Sequence, residues 1–165
     1  MNCPSCGAPM RLATGDASMR CDYCKTVVVL PADDAGLHFL DEAVQGLNCP
    51  VCSIPLLNAM LGHAKMCACK KCKGMLIGMN VMEPLIEELR DKNKDRDEIP
   101  SPADPADLKR VVECPKCHRH ADVHFYMGGG GAVIATCENC ELNWLDGGML
   151  MRIVRTPHEE EPLQY

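Results

Sequence analysis

Residues 114–117, Cys114-Pro115-Lys116-Cys117, answered at 137–140 by Cys137-Glu138-Asn139-Cys140, form the stretch on which the fold turns. The same arrangement occurs twice earlier, as Cys3/Cys6 with Cys21/Cys24 and as Cys49/Cys52 with Cys69/Cys72. In chain order, 14, 16 and 19 residues separate the two pairs of each set, which suits a short hairpin between two knuckles. In a C-x-x-C knuckle, two thiolates three positions apart turn toward one cation, and a second knuckle completes the tetrahedron that Zn(II) prefers. Twelve of the thirteen cysteines are accounted for in this way, so the expected cofactor is three structural zinc ions. The competing reading is a disulfide scaffold of a secreted chain. The start Met1-Asn2-Cys3-Pro4 shows no charged and apolar leader. The expectation is therefore a cytoplasmic location, where thiols stay reduced and free to bind metal.

Length and charge constrain the rest. The 165 residues include only two Phe, three Tyr and one Trp, a thin supply for a core. The pattern predicts modules of about thirty residues, each too small to be stabilised by burial alone, for which removal of zinc means unfolding. The formal net charge of −6 becomes about −12 once each four-thiolate zinc site contributes roughly −2. Such an acidic molecule is a poor general binder of DNA or RNA. Residues 48–79 differ, carrying Lys65, Lys70, Lys71 and Lys73 and no acidic side chain. Any phosphate contact is expected there, although lysines beside a thiolate-rich site also serve simply to offset its charge.

The fold class expected is a small metal-stabilised protein of three zinc-ribbon β-hairpin modules joined by short helices. Ribbon one spans 1–30, with strands at Pro9–Ala13, Ala17–Cys21 and Thr26–Leu30 around a turn at Thr14-Gly15-Asp16. Residues 31–47 read as a linking helix, because Leu37, Leu40, Val44 and Leu47 recur at three- and four-residue steps. Ribbon two with a trailing helix occupies 48–98. Its hairpin turns at Gly62-His63, and its helix starts near Val81, with Pro84 tolerated only in the first turn. The charged run from Arg90 to Glu98 should be solvated, with Glu88 and Lys92 paired one turn apart. A Pro-rich linker at 99–107 is expected to be a stiff extended spacer. Ribbon three with a trailing helix spans 108–155. Its strands lie at Asp122–Met127 and Ala132–Cys137, joined by the tip Gly128–Gly131, which lacks the Lys and Ser/Thr of a phosphate loop. An acidic tail at 156–165 has nothing to pack.

Residues 114–154 resemble the zinc-ribbon family named after transcription factor IIB. The likeness rests on the two knuckles just quoted, followed by Trp144-Leu145-Asp146 and a short helix. It implies zinc binding and the ribbon fold; a role in transcription would be an analogy from fold alone. In that family a Glu follows the Asp by three residues as half of a capping box; here that place is Met149, leaving Asp146 alone to cap the helix. Residues 49–89 look like a diverged copy in which Leu76-Ile77-Gly78 stands where the third ribbon has Trp144-Leu145-Asp146. Residues 1–30 are similar to a generic zinc ribbon without the trailing motif.

The remaining residues add little chemistry. Cys67, the odd cysteine, is a small apolar filler, a substitute for Cys69 or a reactive thiol beside a metal. His63, His118, His120 and His124 read as non-ligands, since every four-cysteine set is already complete, and His118 is expected simply to face solvent. Met75, Met79 and Met82 fill gaps around the second ribbon or form an adaptable surface. A catalytic zinc keeps an open position, which four thiolates deny, so no enzyme is expected. The functional expectation is a zinc-binding scaffold with a protein partner, no membrane and no small-molecule substrate. The alternatives are nucleic-acid or transcription-machinery binding through the basic second ribbon, and a redox or zinc-responsive switch.

Overall fold

The computed structural model of the chain describes residues 1–13, 18–32, 36–93, 104–126 and 131–156. The Gly-rich tip apart from Gly131, the turn at Thr14-Gly15-Asp16, most of the Pro-rich linker and the tail beyond Thr156 lie outside the described residues. Ribbon one is a three-stranded antiparallel sheet of β1 (Met10–Leu12), β2 (Ser18–Cys21) and β3 (Val27–Val29) in that order. Its own core is small, comprising Cys3, Met10 and Cys21 with Ala8, Met19 and Val28 against them. Two of those buried residues belong to the metal set, so little apolar burial remains once the sulfurs are discounted.

Ribbons two and three are not separate modules. β4 (His38–Asn48), β5 (Pro55–Leu61), β6 (Ala64–Ala68) and β7 (Met75–Gly78) join β8 (Asp122–Phe125), β9 (Val133–Cys137) and β10 (Leu142–Leu145) in one seven-stranded sheet. Its order is β4-β5-β6-β7-β10-β9-β8. The junction is the antiparallel pairing of β7 with β10, the strands that follow the last knuckle of each ribbon. Leu76 stands directly opposite Trp144, and Ile77 opposite Asn143. The two copies thus meet about a local two-fold, and the helices that trail them, α1 (Met79–Lys92) and α2 (Met149–Arg155), pack against each other. One face of the sheet buries Met66, Met75, Ile77 and Leu145 under Met82, Leu85, Ile86 and Leu89 of α1 and Leu150, Ile153 and Val154 of α2. The other face carries the second cysteine set around Leu56, Leu76, Ala135 and Trp144, and Cys137 of the third set shares that face two positions along β9 from Ala135. This shared core supplies the apolar burial that neither ribbon musters alone.

Four expectations need correction. The segment expected as a linking helix at 31–47 is, from His38 onward, an edge strand, and the modules are joined by strand pairing instead of by short helices. The register explains the misreading. Ten steps along β4, from His38 to Asn48, match only five along β5, from Met60 to Pro55. Bulges of this kind stretch a two-residue alternation into three- and four-residue spacing. Second, α1, which begins at Met79 close to the expected start, accepts Pro84 beyond its first turn. Four buried side chains on its inner face offset the lost backbone bond. Third, Arg90 is half-buried, and its Nη2 donates to the Ile153 carbonyl at 3.1 Å, tying α1 to the end of α2. Fourth, the described part of the linker, 104–107, is not extended: it enters a 3-10 helix, Pro105–Lys109, that Asp104 caps and that runs on into the start of ribbon three.

Trp144 reconciles the two unequal ribbons. It is 2% exposed, and a Cβ on Gly74 of the second ribbon would lie 2.4 Å from its ring. Gly74 thus leaves the space that the indole fills, and one aromatic serves both copies. Next to it, a Cβ on Gly147 would lie 2.3 Å from the Cys72 carbonyl oxygen. Replacing Trp144 by Ala is expected to cost about 3–5 kcal/mol, read as a lower denaturant midpoint with the metal content unchanged. Gly74→Ala should also destabilise, through the clash with the ring, and an unaltered midpoint in either variant would contradict this packing.

Candidate metal centres

The knuckles share one local geometry. In five of the six, the amide of the residue after the second cysteine closes on the first: Gly7, Lys25, Ser53, Lys73 and His118 donate to the carbonyls of Cys3, Cys21, Cys49, Cys69 and Cys114 at 2.8–3.0 Å. The first-cysteine amides in turn donate to the Ala8, Thr26, Ile54, Gly74 and Arg119 carbonyls at 2.8–2.9 Å. The residue after the second cysteine has positive φ in all six, between 54° at Glu141 and 75° at Gly7. Five of these are not glycine, an arrangement that costs free energy and persists where surroundings fix it. His118 is exposed as expected, and it also occupies one of these strained turn positions.

All twelve sequence-assigned cysteines come together as expected. Cys3, Cys6, Cys21 and Cys24 form one group, Cys49, Cys52, Cys69 and Cys72 a second, and Cys114, Cys117, Cys137 and Cys140 a third, each with its sulfurs within 4.8 Å of one another. Sulfurs of opposite knuckles approach to 3.4 Å for Cys3 and Cys24, 3.5 Å for Cys6 and Cys21, and 3.6 Å for both Cys49 with Cys72 and Cys117 with Cys137. A tetrahedral core of four sulfurs with zinc bonds of about 2.3 Å needs sulfur separations of roughly 3.8 Å. A disulfide needs roughly 2.05 Å. The spacing therefore fits a metal tetrahedron, and all thirteen cysteines are free thiols. Three four-cysteine groups of this form suit structural metal ions, with zinc the natural occupant. The ion would supply charge neutralisation and a cross-link between the two knuckles of each set.

The sets differ in exposure. In the second and third, two sulfurs are buried and two half-buried; in the first, Cys6 and Cys24 are exposed. Burial pushes the thiols of Cys49, Cys72 and Cys140 up, and that of Cys137 up to about 12. In contrast, the backbone amide of Arg119 holds Cys117 down to about 7. In the first set the hydroxyl and amide of Thr26 hold Cys24 down to about 6, with Thr26 Oγ1 3.1 Å from its sulfur.

Other assigned residues fall outside these groups. No histidine joins a set among the described residues. His63 Nδ1 lies 3.2 Å from Glu88, which also pairs with Lys92 as expected. His124 Nε2 lies 2.9 Å from Thr136 Oγ1, which donates to Asn143 Oδ1 at 2.8 Å; sequence patterns give no sign of this part-buried polar chain. Cys67 packs, half-buried, beside Leu76 and the second set, with its thiol pushed up by burial, as an apolar filler would be. Met75 and Met82 are core residues, and Met79 is 42% exposed. Asp146 does not cap α2, whose N-cap is Gly148 without a side-chain bond. Its carboxylate instead accepts from Trp144 Nε1 at 3.1 Å and pairs with Arg110. Lys70 and Lys73 place their Nζ atoms 5.9 and 5.3 Å from the centre of the Phe39 ring, a contact from β4 that only the strand pairing reveals.

Comparison with protein-family models gave no match, and neither the curated proteins nor the solved structures searched contain a match to the chain. No described helix is long and apolar enough to cross a membrane.

The raised thiols set the pH dependence of metal binding. At neutral pH Cys49, Cys72, Cys137 and Cys140, together with Cys6, which against the lowering bond of the Ala8 amide the neighbouring Cys24 thiol pushes up to about 12, hold protons in the metal-free protein, and binding must expel them as thiolates form. Affinity should therefore rise with pH and fall on acidification. Zinc titration calorimetry in buffers of different ionisation enthalpy is expected to show proton release at all three sets, and pH-independent binding would contradict it.

Proposed function

We propose that the chain is a zinc-binding, non-enzymatic scaffold that docks a protein partner by strand addition at ribbon one. The observation that carries this reading is the outer edge of β3. Val27 and Val29 are 55% and 73% exposed, with Tyr23 nearby in sequence at 84%. Among the described residues β3 pairs only with β2. The Met19–Val28 register and the Cys21 amide bond to the Thr26 carbonyl turn Thr26 and Val28 toward β2. In an antiparallel ladder that leaves the amides and carbonyls of Val27 and Val29 facing outward. The strand holds no Lys, Pro or inward charge of the kind that guards exposed edges. An extended, uncharged protein segment fits this edge, with backbone bonds for affinity and valine contacts for selectivity. Four thiolates closing each set support a structural instead of a catalytic metal. Trp144-Leu145-Asp146 after the last knuckle supports grouping the third ribbon with transcription factor IIB-type ribbons, and the free thiols suit a reducing cytoplasm.

Nucleic-acid contact through Lys65, Lys70, Lys71 and Lys73 is the second reading. The cluster is basic, but Lys70 and Lys73 are directed onto Phe39 of the protein itself, which supports a charge-offsetting role beside the second thiolate set.

The test is a photoreactive residue at position 29, used in the source cell with and without Val27→Lys. A discrete protein adduct that the lysine at position 27 abolishes, at unchanged zinc content, is the expected outcome. An adduct indifferent to that lysine, or no protein adduct alongside salt-sensitive nucleic-acid retention, would contradict the scaffold reading.

A further inference from the structure

The three cysteine sets are equivalent in composition and unequal in protection. Around the second and third, the seven-stranded sheet and its two helices hold the knuckles in place whatever occupies them. The first is held more loosely: its sheet strands are three to four residues long, its buried cluster beyond the ligands is Met10, and its tie to β4 runs through His38, whose Nδ1 lies 2.7 Å from the Leu30 carbonyl. Cys6 and Cys24 are exposed, whereas each ligand of the other two sets is buried or half-buried. Reactivity of a thiolate toward an oxidant follows its access to solvent. The sulfurs of exposed Cys24 and buried Cys3 lie 3.4 Å apart, the shortest separation of any cysteine pair across the knuckles given above.

We propose that the first set is a peroxide-sensitive metal switch that controls the docking edge of β3, while the other two sets keep their ions. This rests on the zinc-binding reading above. The Cys24 thiolate attacks one oxygen of a hydroperoxide, the O–O bond breaks, and Cys24 becomes a sulfenic acid. The Cys3 thiolate then attacks the Cys24 sulfur, forming an S–S bond and expelling the sulfenic oxygen as hydroxide. Two thiolates lose two electrons in total, hydrogen peroxide takes them up with two protons from solvent, and two waters leave. Only Cys6 and Cys21 remain as donors, so Zn(II) departs. Without the ion, β1, β2 and β3 lose the cross-link between their two knuckles, and the edge carrying Val27 and Val29 is dismantled. Ribbons two and three retain their common core.

Native mass spectrometry of the full zinc-loaded chain, titrated with hydrogen peroxide, tests this. The unoxidised spectrum reports the metal reading separately, because a chain that does not carry three ions refutes that reading before any oxidant is added. The expected first product has lost one zinc and about 2 Da. Its tryptic digest should join the peptide 1–11 to the peptide 21–25, and fragmentation of that product should place the link at Cys3 and Cys24, a link at Cys6 and Cys21 counting against the proposed pair. Hydrogen exchange on the same sample should rise at residues 18–29 and stay unchanged at 64–78 and 133–145. Simultaneous loss of all three ions, a first disulfide within the second or third set, or retention of the first ion after the others have gone would overturn the proposal.

Discussion

Sulfur drawn from two distant knuckles must converge on one point, and almost every other feature follows from meeting that demand. A knuckle brings its two thiolates together only if the chain reverses immediately after the second cysteine. That reversal needs a positive φ, found at Gly7, Lys25, Ser53, Lys73, His118 and Glu141 alike. Most side chains resist that conformation by about 1 kcal/mol or more, so the turns hold because paired amide bonds in five of the six, and a bound ion where present, fix both ends. The hairpin between knuckles then has no freedom in where its strands lie.

The second constraint is geometric fusion. Ribbons two and three repeat one plan, and the strands that follow their last knuckles pair with each other. Fusion places the second metal set, with Cys137 of the third, on one face of a single sheet and both trailing helices on the other. It also explains why the second copy has Leu76 and Gly74 near the place where the third has its aromatic. Two indoles would compete for the volume that Trp144 already fills beside Gly74. Ribbon one lacks a trailing helix and a partner sheet among the described residues, so the same sulfur chemistry is left there with exposed ligands and a bare edge.

Legibility in the sequence follows the range of the interactions. The cysteine sets, the strands of ribbon one and the hairpins at Gly62 and after Phe125 can be read, because each depends on spacing within about thirty residues. β4 cannot, because Leu40, Val44 and Leu47, with Leu37 just before the strand, have helical spacing, and the bulges that make it a strand exist only against β5. The fused sheet is equally hidden, since the β7–β10 pairing joins residues more than sixty positions apart with no local signature. Asp146 illustrates the same limit at one side chain. Its position suggests a helix cap, but Trp144 Nε1 and the guanidinium of Arg110, far back in the chain, claim its oxygens first. Arg90, placed in a charged run, is captured by a carbonyl on α2 for a similar reason.

Closure of each site by sulfur alone is the claim on which the reading of the three cysteine sets as metal centres, and both proposals made from it, rest. X-ray absorption at the zinc edge, combined with the metal content of the same sample, measures it most directly. The account predicts three zinc ions per chain, each with four sulfur neighbours at about 2.3 Å and no lighter donor. Fewer ions, or nitrogen or oxygen in the coordination shell, would contradict it.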